Sequence, residues 1–178
     1  MFRKILIYGL IAGLIAGVSL SVTTVTANHS MGSGLSMLIG YLMMLIALTA
    51  IFIAIKRHRD LDLGGVIKFW PALGLGLGIS VISGILYVAA WDLTLVITHM
   101  DFAGSYARAM IAEAQAKGVT GAALAKITNE MDQFKVQYAN PLYRWPMTFI
   151  EIFPVGVLVS LISAGLLRNS RFLPARRA

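Results

Sequence analysis

At 178 residues and 19.2 kDa the chain has the length of one domain, yet 58% of it is hydrophobic, only 13% is charged and the mean hydropathy is +0.79. A water-soluble fold of this size carries roughly a quarter of its residues as charges, and it cannot hide several apolar runs of about twenty residues in one small core. A soluble domain is therefore excluded, and the lack of cysteine removes disulfide frameworks, thiol nucleophiles and cysteine metal sites.

Four stretches have the length and apolarity to cross a hydrocarbon layer of about 30 Å, which takes about 20 helical residues: Ile5–Ala27, Leu35–Ile55, Phe69–Thr98 and Pro146–Leu167. Unpaired backbone amides are costly in lipid and no alternating barrel pattern appears, so each is expected to be an α-helix. In the first, Gly9, Gly13, Gly17 and Ser21 recur every four residues and form a small-residue face that lets another helix approach closely. A cleavable signal peptide is the rival reading, with Val25-Thr26-Ala27 before Asn28 as the cleavage site; the length of the apolar run and the small-residue face favour retention.

Ten of the 15 basic residues fall on one side of this arrangement: Arg3 and Lys4, then Lys56, Arg57, Arg59 and Lys68, then Arg168, Arg171, Arg176 and Arg177. The positive-inside rule makes both termini cytoplasmic. The net charge of +7 is then a matter of topology and of attraction to anionic headgroups. Nucleic acid is not an expected partner, because no aromatic residues interleave with the basic ones as a stacking platform.

Between the third and fourth spans, Asp101 to Arg144 reads as two helices. Phe102, Tyr106 and Met110 mark one face of the first, which stops at Gly118. Thr120 is placed as the N-cap of the second, where Leu124, Ile127, Met131, Phe134 and Tyr138 form a narrow apolar seam. Asn140-Pro141 ends it. An amphipathic helical hairpin over about 101–140 follows, with a seam that packs its own two helices or covers a partner.

Two carboxylates fall inside the spans, Asp92 and Glu151. Taking Trp145 as an interfacial anchor, Glu151 lies about 9 Å deeper by the helical rise. No Lys or Arg lies in these stretches to neutralise either residue, so burial favours the neutral carboxyl. Pro154 lacks the N–H that the Ile150 carbonyl would accept, which puts a freed acceptor beside Glu151. Such an arrangement either relays a proton or cation, or is a kink whose carboxyl bonds a neighbouring helix through Tyr87, Trp91, Tyr41 or Thr148. Asp92 and His99 are seven apart and share a helical face, which makes a relay conceivable; Trp91, Thr98 and His99 also suit an interfacial belt. Gly74, Gly76 and Gly78 lie in an apolar span and read as close helix packing, not a phosphate loop.

Metal chemistry has little support, since His29, His58 and His99 are scattered. Nucleophilic catalysis has none, since Ser80, Ser83, Ser160 and Ser163 have no base nearby in sequence. No catalytic, cofactor-binding or metal residue is assigned.

His58-Arg59-Asp60, Gly64-Gly65-Val66-Ile67-Lys68-Phe69, Tyr87 with Trp91, Asn140-Pro141 and the run Phe149-Ile150-Glu151-Ile152-Phe153-Pro154-Val155-Gly156 resemble a family of small bacterial inner-membrane proteins. That family is known only as a domain of unknown function with four spans, and its most distinctive part is Glu-x-x-Pro-x-Gly. The resemblance implies an uncleaved first span and a bacterial cytoplasmic membrane, and no activity. The alanine-rich segment Ala103 to Ala125 has no counterpart in it.

The expected architecture is one all-α membrane domain over 1–178, an integral four-helix bundle with both termini inside and an extracytoplasmic helical hairpin. The expected function is that of a non-enzymatic structural or partner-binding component, with the bilayer and a second copy or another membrane protein as partners. The alternative is a small proton- or cation-coupled transporter or channel using Glu151.

Overall fold

Apolar segments of span length satisfy every backbone N–H and C=O without water only as helices, and the chain uses helices throughout. The computed structural model describes residues 1–27 and 33–174, with side chains over 1–25 and 38–174. Among the described residues there are six α-helices and no strand. They are α1 (Phe2–Ala27), α2 (Ser33–Arg57), α3 (Phe69–Thr98), α4 (Phe102–Ala116), α5 (Gly121–Ala139) and α6 (Pro141–Leu167), with a π-helical turn at His58–Asp62 after α2. Four of them, α1, α2, α3 and α6, are long and apolar enough to cross a membrane. The last begins five residues earlier than the hydropathy pattern predicts, because Pro141 takes the first helical position, where its missing N–H costs nothing. His29, Arg176, Arg177 and the junction at Asn28 lie outside the described residues.

The chain divides into two compact units, Met1–Trp91 with Phe149–Ala178, and Asp92–Thr148; the divisions fall within α3 and α6. In the first unit α3 is the central element. A Cβ added at Gly9, Gly13 or Gly17 of α1 would lie 2.6 Å from Ile82 Cβ, 2.7 Å from Leu86 Cβ and 2.5 Å from Ala90 Cβ respectively. Both sequences advance in steps of four, so the two helices run parallel with their backbones close. Ser83 Oγ adds a bond to the Gly9 carbonyl at 3.3 Å. The small-residue face of α1 is therefore taken up by α3 of the same chain, the close helix approach that its spacing predicts. Ser21, at the end of that face, bonds back to the Gly17 carbonyl.

A second face of α3 meets α6 in a reciprocal interlock. Ser160 Cβ sits 2.8 Å from where a Cβ on Gly76 would be, and Ser80 Cβ sits 2.8 Å from the same point on Gly156. Each serine occupies the groove opened by the other helix's glycine, and their hydroxyls meet at 3.3 Å. Further along, Gly84 receives the Phe149 ring. The pairing of 76 with 160, 80 with 156 and 84 with 149 makes α3 and α6 antiparallel. Gly76 also meets Ile51 of α2, and Gly78 meets Ile5, as close packing requires, whereas Gly74 is exposed and has only an ordinary 3.8 Å contact to the Met1 side chain. Lipid gives apolar helices no hydrophobic reason to associate, so this contact, through dispersion at short range, holds the unit together. Leu14, Val18, Ile46, Leu158 and Ile162 face outward, as lipid-facing side chains do.

One end of this unit is polar. Lys4 pairs with Asp62 through Oδ2, and His58 Nδ1 lies 2.6 Å from that same oxygen. Arg59 is fully buried; its guanidinium donates to the carbonyls of Phe172 (2.9 Å) and Leu173, and its Nε pairs with Asp60 at 2.6 Å. The start of α1, the π-turn and the residues after α6 thus share one end of the bundle.

In the second unit α4 and α5 meet through aromatic rings, Phe102 with Tyr138 at 5.5 Å and Tyr106 with Phe134 at 5.4 Å. Leu124, Ile127, Met131, Phe134 and Tyr138 are, with Thr128, the less exposed positions of α5, as the seam predicts. Gly118 has φ +80°, the left-handed form that ends α4. Asp101 caps α4, its Oδ1 accepting from the Gly104 N–H at 2.9 Å. Thr120 precedes α5 in extended conformation as expected, but its side chain makes no cap bond.

If α1 depends on its contact with α3, Gly13→Ala should cost about 1–3 kcal/mol as an overpacked site. Gly40, where an added Cβ meets nothing within 4 Å, should tolerate alanine or gain about 0.5–1 kcal/mol from helix propensity. Thermal unfolding of the two variants in detergent measures the difference, and equal midpoints would contradict the α1–α3 packing.

Candidate functional site

Along α6, Thr148, Ile152, Gly156, Ser160, Ser163, Ala164 and Leu167 are buried, while Ile150, Pro154 and Leu158 are exposed. Glu151 lies at the border of these two faces and is itself exposed. The Tyr87 hydroxyl, on a residue of α3 only 3% exposed, donates to its carboxyl, and Tyr41 of α2 stands close enough to Tyr87 to interact electrostatically. Two spans, α3 and α6, therefore meet at this carboxyl, and α2 approaches the pair through Tyr87. Of the predicted set, the structure brings Tyr87 and Glu151 together. Pro154 leaves α6 unbroken. The Ile150 carbonyl that it deprives of a donor belongs to a residue 66% exposed, on the outward side of the helix.

Asp92 is not the isolated carboxylate that the sequence suggested. Because α6 starts at Pro141, Arg144 lies in its first turn, and its Nε reaches Asp92 Oδ1 at 2.8 Å. The Trp145 indole N–H donates to the other oxygen. Arg144 also donates to the Tyr138 carbonyl at 3.1 Å and lies over the Tyr138 ring at 5.7 Å. Asp92 joins α3 to α5 and α6 within the second unit, as a part of the packing. The expected face shared by Asp92 and His99 does not form either. The helix ends at Thr98, and His99 turns into the left-handed region with φ +49°, a helix-terminating conformation that histidine tolerates better than most residues. Trp91 and Thr94 are buried, while Thr98 and His99 are exposed, so of the residues given to an interfacial belt Trp91 belongs to the packed interior.

The interior serines point to their own helices. Ser80, Ser83 and Ser160 donate to the carbonyls of Gly76, Ile79 and Gly156 at 2.7–2.9 Å. These bonds satisfy the hydroxyls in a dry interior. Among the described residues no three His, Asp or Glu side chains converge as metal ligands.

Sequence reasoning missed the polar end, where His58 pairs with Asp62 and Arg59 with Asp60. Lys56 pairs with Asp60 at 2.6 Å, so Asp60 serves both Lys56 and Arg59. The signal available was the dense His58-Arg59-Asp60-Leu61-Asp62 run itself, two carboxylates in a chain that has only eight. Its local π-helical geometry, a form found often at functional sites, was not readable from spacing.

A family model described as "Protein of unknown function (DUF4199)" matches residues 7–169. The chain belongs to this family. No curated protein and no solved structure matches it. The DUF4199 match spans α1 to the end of α6 and so includes the Glu151–Tyr87 pair, the Asp92–Arg144 pair and the Arg59 network.

Removing Arg144 leaves the Asp92 carboxylate without its cation. Arg144→Met should destabilise by about 1–3 kcal/mol, the scale of a hydrogen bond to a charged group. Adding Asp92→Asn should recover part of that loss, as coupled neighbours do. A thermal double-mutant cycle reads this coupling, and additive losses would mean that the pair contributes nothing.

Proposed function

We propose that the protein is a non-enzymatic component of a bacterial inner membrane that acts by binding another membrane protein. The observation that carries this reading is the exposed Glu151 on a flank whose neighbours Ile150, Pro154 and Leu158 are outward-facing. A carboxyl facing acyl chains is costly, so a flank that keeps one is a flank that another polar group covers. The interior supports the same reading: its serines are spent on backbone bonds and on the Gly76–Ser160 and Gly156–Ser80 interlock, and they offer no nucleophile with a base. The placement of ten basic residues makes both termini cytoplasmic and α4–α5 extracytoplasmic. Extraction into native-lipid discs should give particles heavier than one chain with its lipid; discs holding a single chain would overturn the partner-binding reading.

A second reading, proton or cation passage, rests on the Tyr87–Glu151 hydrogen bond, since a phenol and a carboxyl can exchange a proton. Liposomes holding purified protein, wild type beside Glu151→Gln, test it. Partner binding without transport predicts the same background flux in both, whereas flux that disappears with the substitution would establish conduction.

A further inference from the structure

The charge pairing of the whole chain sets Glu151 apart. The sequence contains eight carboxylate side chains, and seven have a basic partner within 4 Å. Asp60 has Lys56 and Arg59, Asp62 has Lys4 and His58, Asp92 has Arg144, Asp101 has Arg108, Glu113 has Lys117, Glu130 has Lys126 and Asp132 has Lys135. Glu151 is the eighth, and no Lys or Arg among the described residues reaches it. Even the exposed carboxylates of α4 and α5, which water would solvate, are paired, while the one in the middle of a span is not.

A second copy of this chain cannot supply the missing cation. Arg3 and Lys4 lie in the first turn of α1, Lys56 and Arg57 in the last turn of α2 and Arg144 in the first turn of α6, while α3 has no basic residue. Whichever way a second copy is inserted, its spans present no Lys or Arg at the depth of Glu151. An inorganic cation is a poor occupant too, since one carboxylate and neighbouring phenols fall short of the six or more oxygens a hard cation gathers. A small ligand would need enclosure on most of its surface, whereas Glu151 is exposed beside the outward Ile150, Pro154 and Leu158, a flank that suits a helix laid along α6.

We infer that the α6 flank around Glu151 is the docking surface for a transmembrane helix of a different protein, one that carries a Lys or Arg at the depth of this carboxyl. The inference rests on the partner-binding reading above and names the partner's chemistry. Tyr87 holds the carboxyl at the edge of the bundle, while the apolar neighbours on α6 meet the apolar body of the incoming helix. The pair forms where water is scarce, so each charge gains the counter-charge that lipid cannot provide.

The test uses the full chain in vesicles with synthetic leucine-rich peptides of about 20 residues, identical except for Lys or Leu at the position level with Glu151, and energy transfer between labelled partners as the readout. The Lys peptide should bind the wild type about tenfold more tightly than the Leu peptide, the size of a strong interhelical polar contact. Glu151→Gln should abolish that preference, and Glu151→Asp, which keeps the charge, should retain it. A Glu peptide should in turn prefer Glu151→Lys. Equal binding of the two peptides to the wild type overturns the inference, as does a Lys preference that survives in Glu151→Gln or is lost in Glu151→Asp at unchanged helical content. Self-association of the wild type that disappears in Glu151→Gln would instead make a second copy the occupant. Native-lipid discs of Glu151→Gln separate the two levels: assemblies of undiminished mass would overturn charge pairing while leaving partner binding in place.

Discussion

Close approach of α3 to two other helices is the constraint on which the first unit depends. Gly9, Gly13 and Gly17 admit Ile82, Leu86 and Ala90, and the exchange of Ser80 and Ser160 into the grooves of Gly156 and Gly76 closes the opposite contact. In water such helices would be driven together by burying leucine; in lipid they are held by short-range packing that only a missing Cβ permits. The residues that specify the fold are therefore the smallest ones, while Leu14, Val18, Leu158 and other large apolar side chains face away. Every one of these grooves is also a place where one added methyl group forces helices apart.

Charge is handled by the opposite rule. Where α2 ends and α6 ends, Arg59 is buried whole and its guanidinium satisfies carbonyls of the residues after α6, which have no helical donors. Asp60 balances it from the adjacent position and shares itself with Lys56. The Asp92–Arg144 pair does comparable work in the second unit, tying the end of α3 to the start of α6. Truncating one partner of such pairs is costly because the remaining charge loses its solvation as well as its neighbour.

Much of this was legible from the chain alone, and the boundary of what was legible is physical. Span positions follow from length and apolarity. The break at Gly118, the seam from Leu124 to Tyr138 and the tight packing of Gly76 follow from local periodicity and from what glycine permits. The Asp92–Arg144 contact joins residues 52 apart and the Arg59 contacts join residues more than 100 apart, and no local pattern encodes such pairings. Arg144 was hidden by a misplaced boundary: Trp145 and Pro146 looked like an entry to the membrane, whereas Pro141 starts the helix a turn and more earlier. His99 failed for the converse reason, because a heptad relation assumes a helix that stops at Thr98. The glycine ridge of α1 was legible as a contact surface, while its partner α3 was not, since spacing reports that a helix comes close and not which one.

Packing this tight also limits where function can lie. Leu48, Ile51, Ile55, Leu75 and Ile79 are buried completely, and the serines among them are bonded to their own helices. A passage through that interior would have to part α3 from α6 and leave both serine–glycine contacts open, losing dispersion that nothing else replaces in lipid. The interlock thus supports the proposed docking at the periphery over passage through the interior. There, Tyr87 reaches from the buried side to a carboxyl on the exposed one. The same helix that is fixed by its contacts with α1 and α6 therefore also fixes the position of the outward carboxyl, so the proposed recognition at Glu151 would be presented on a rigid frame and would need no rearrangement of the bundle.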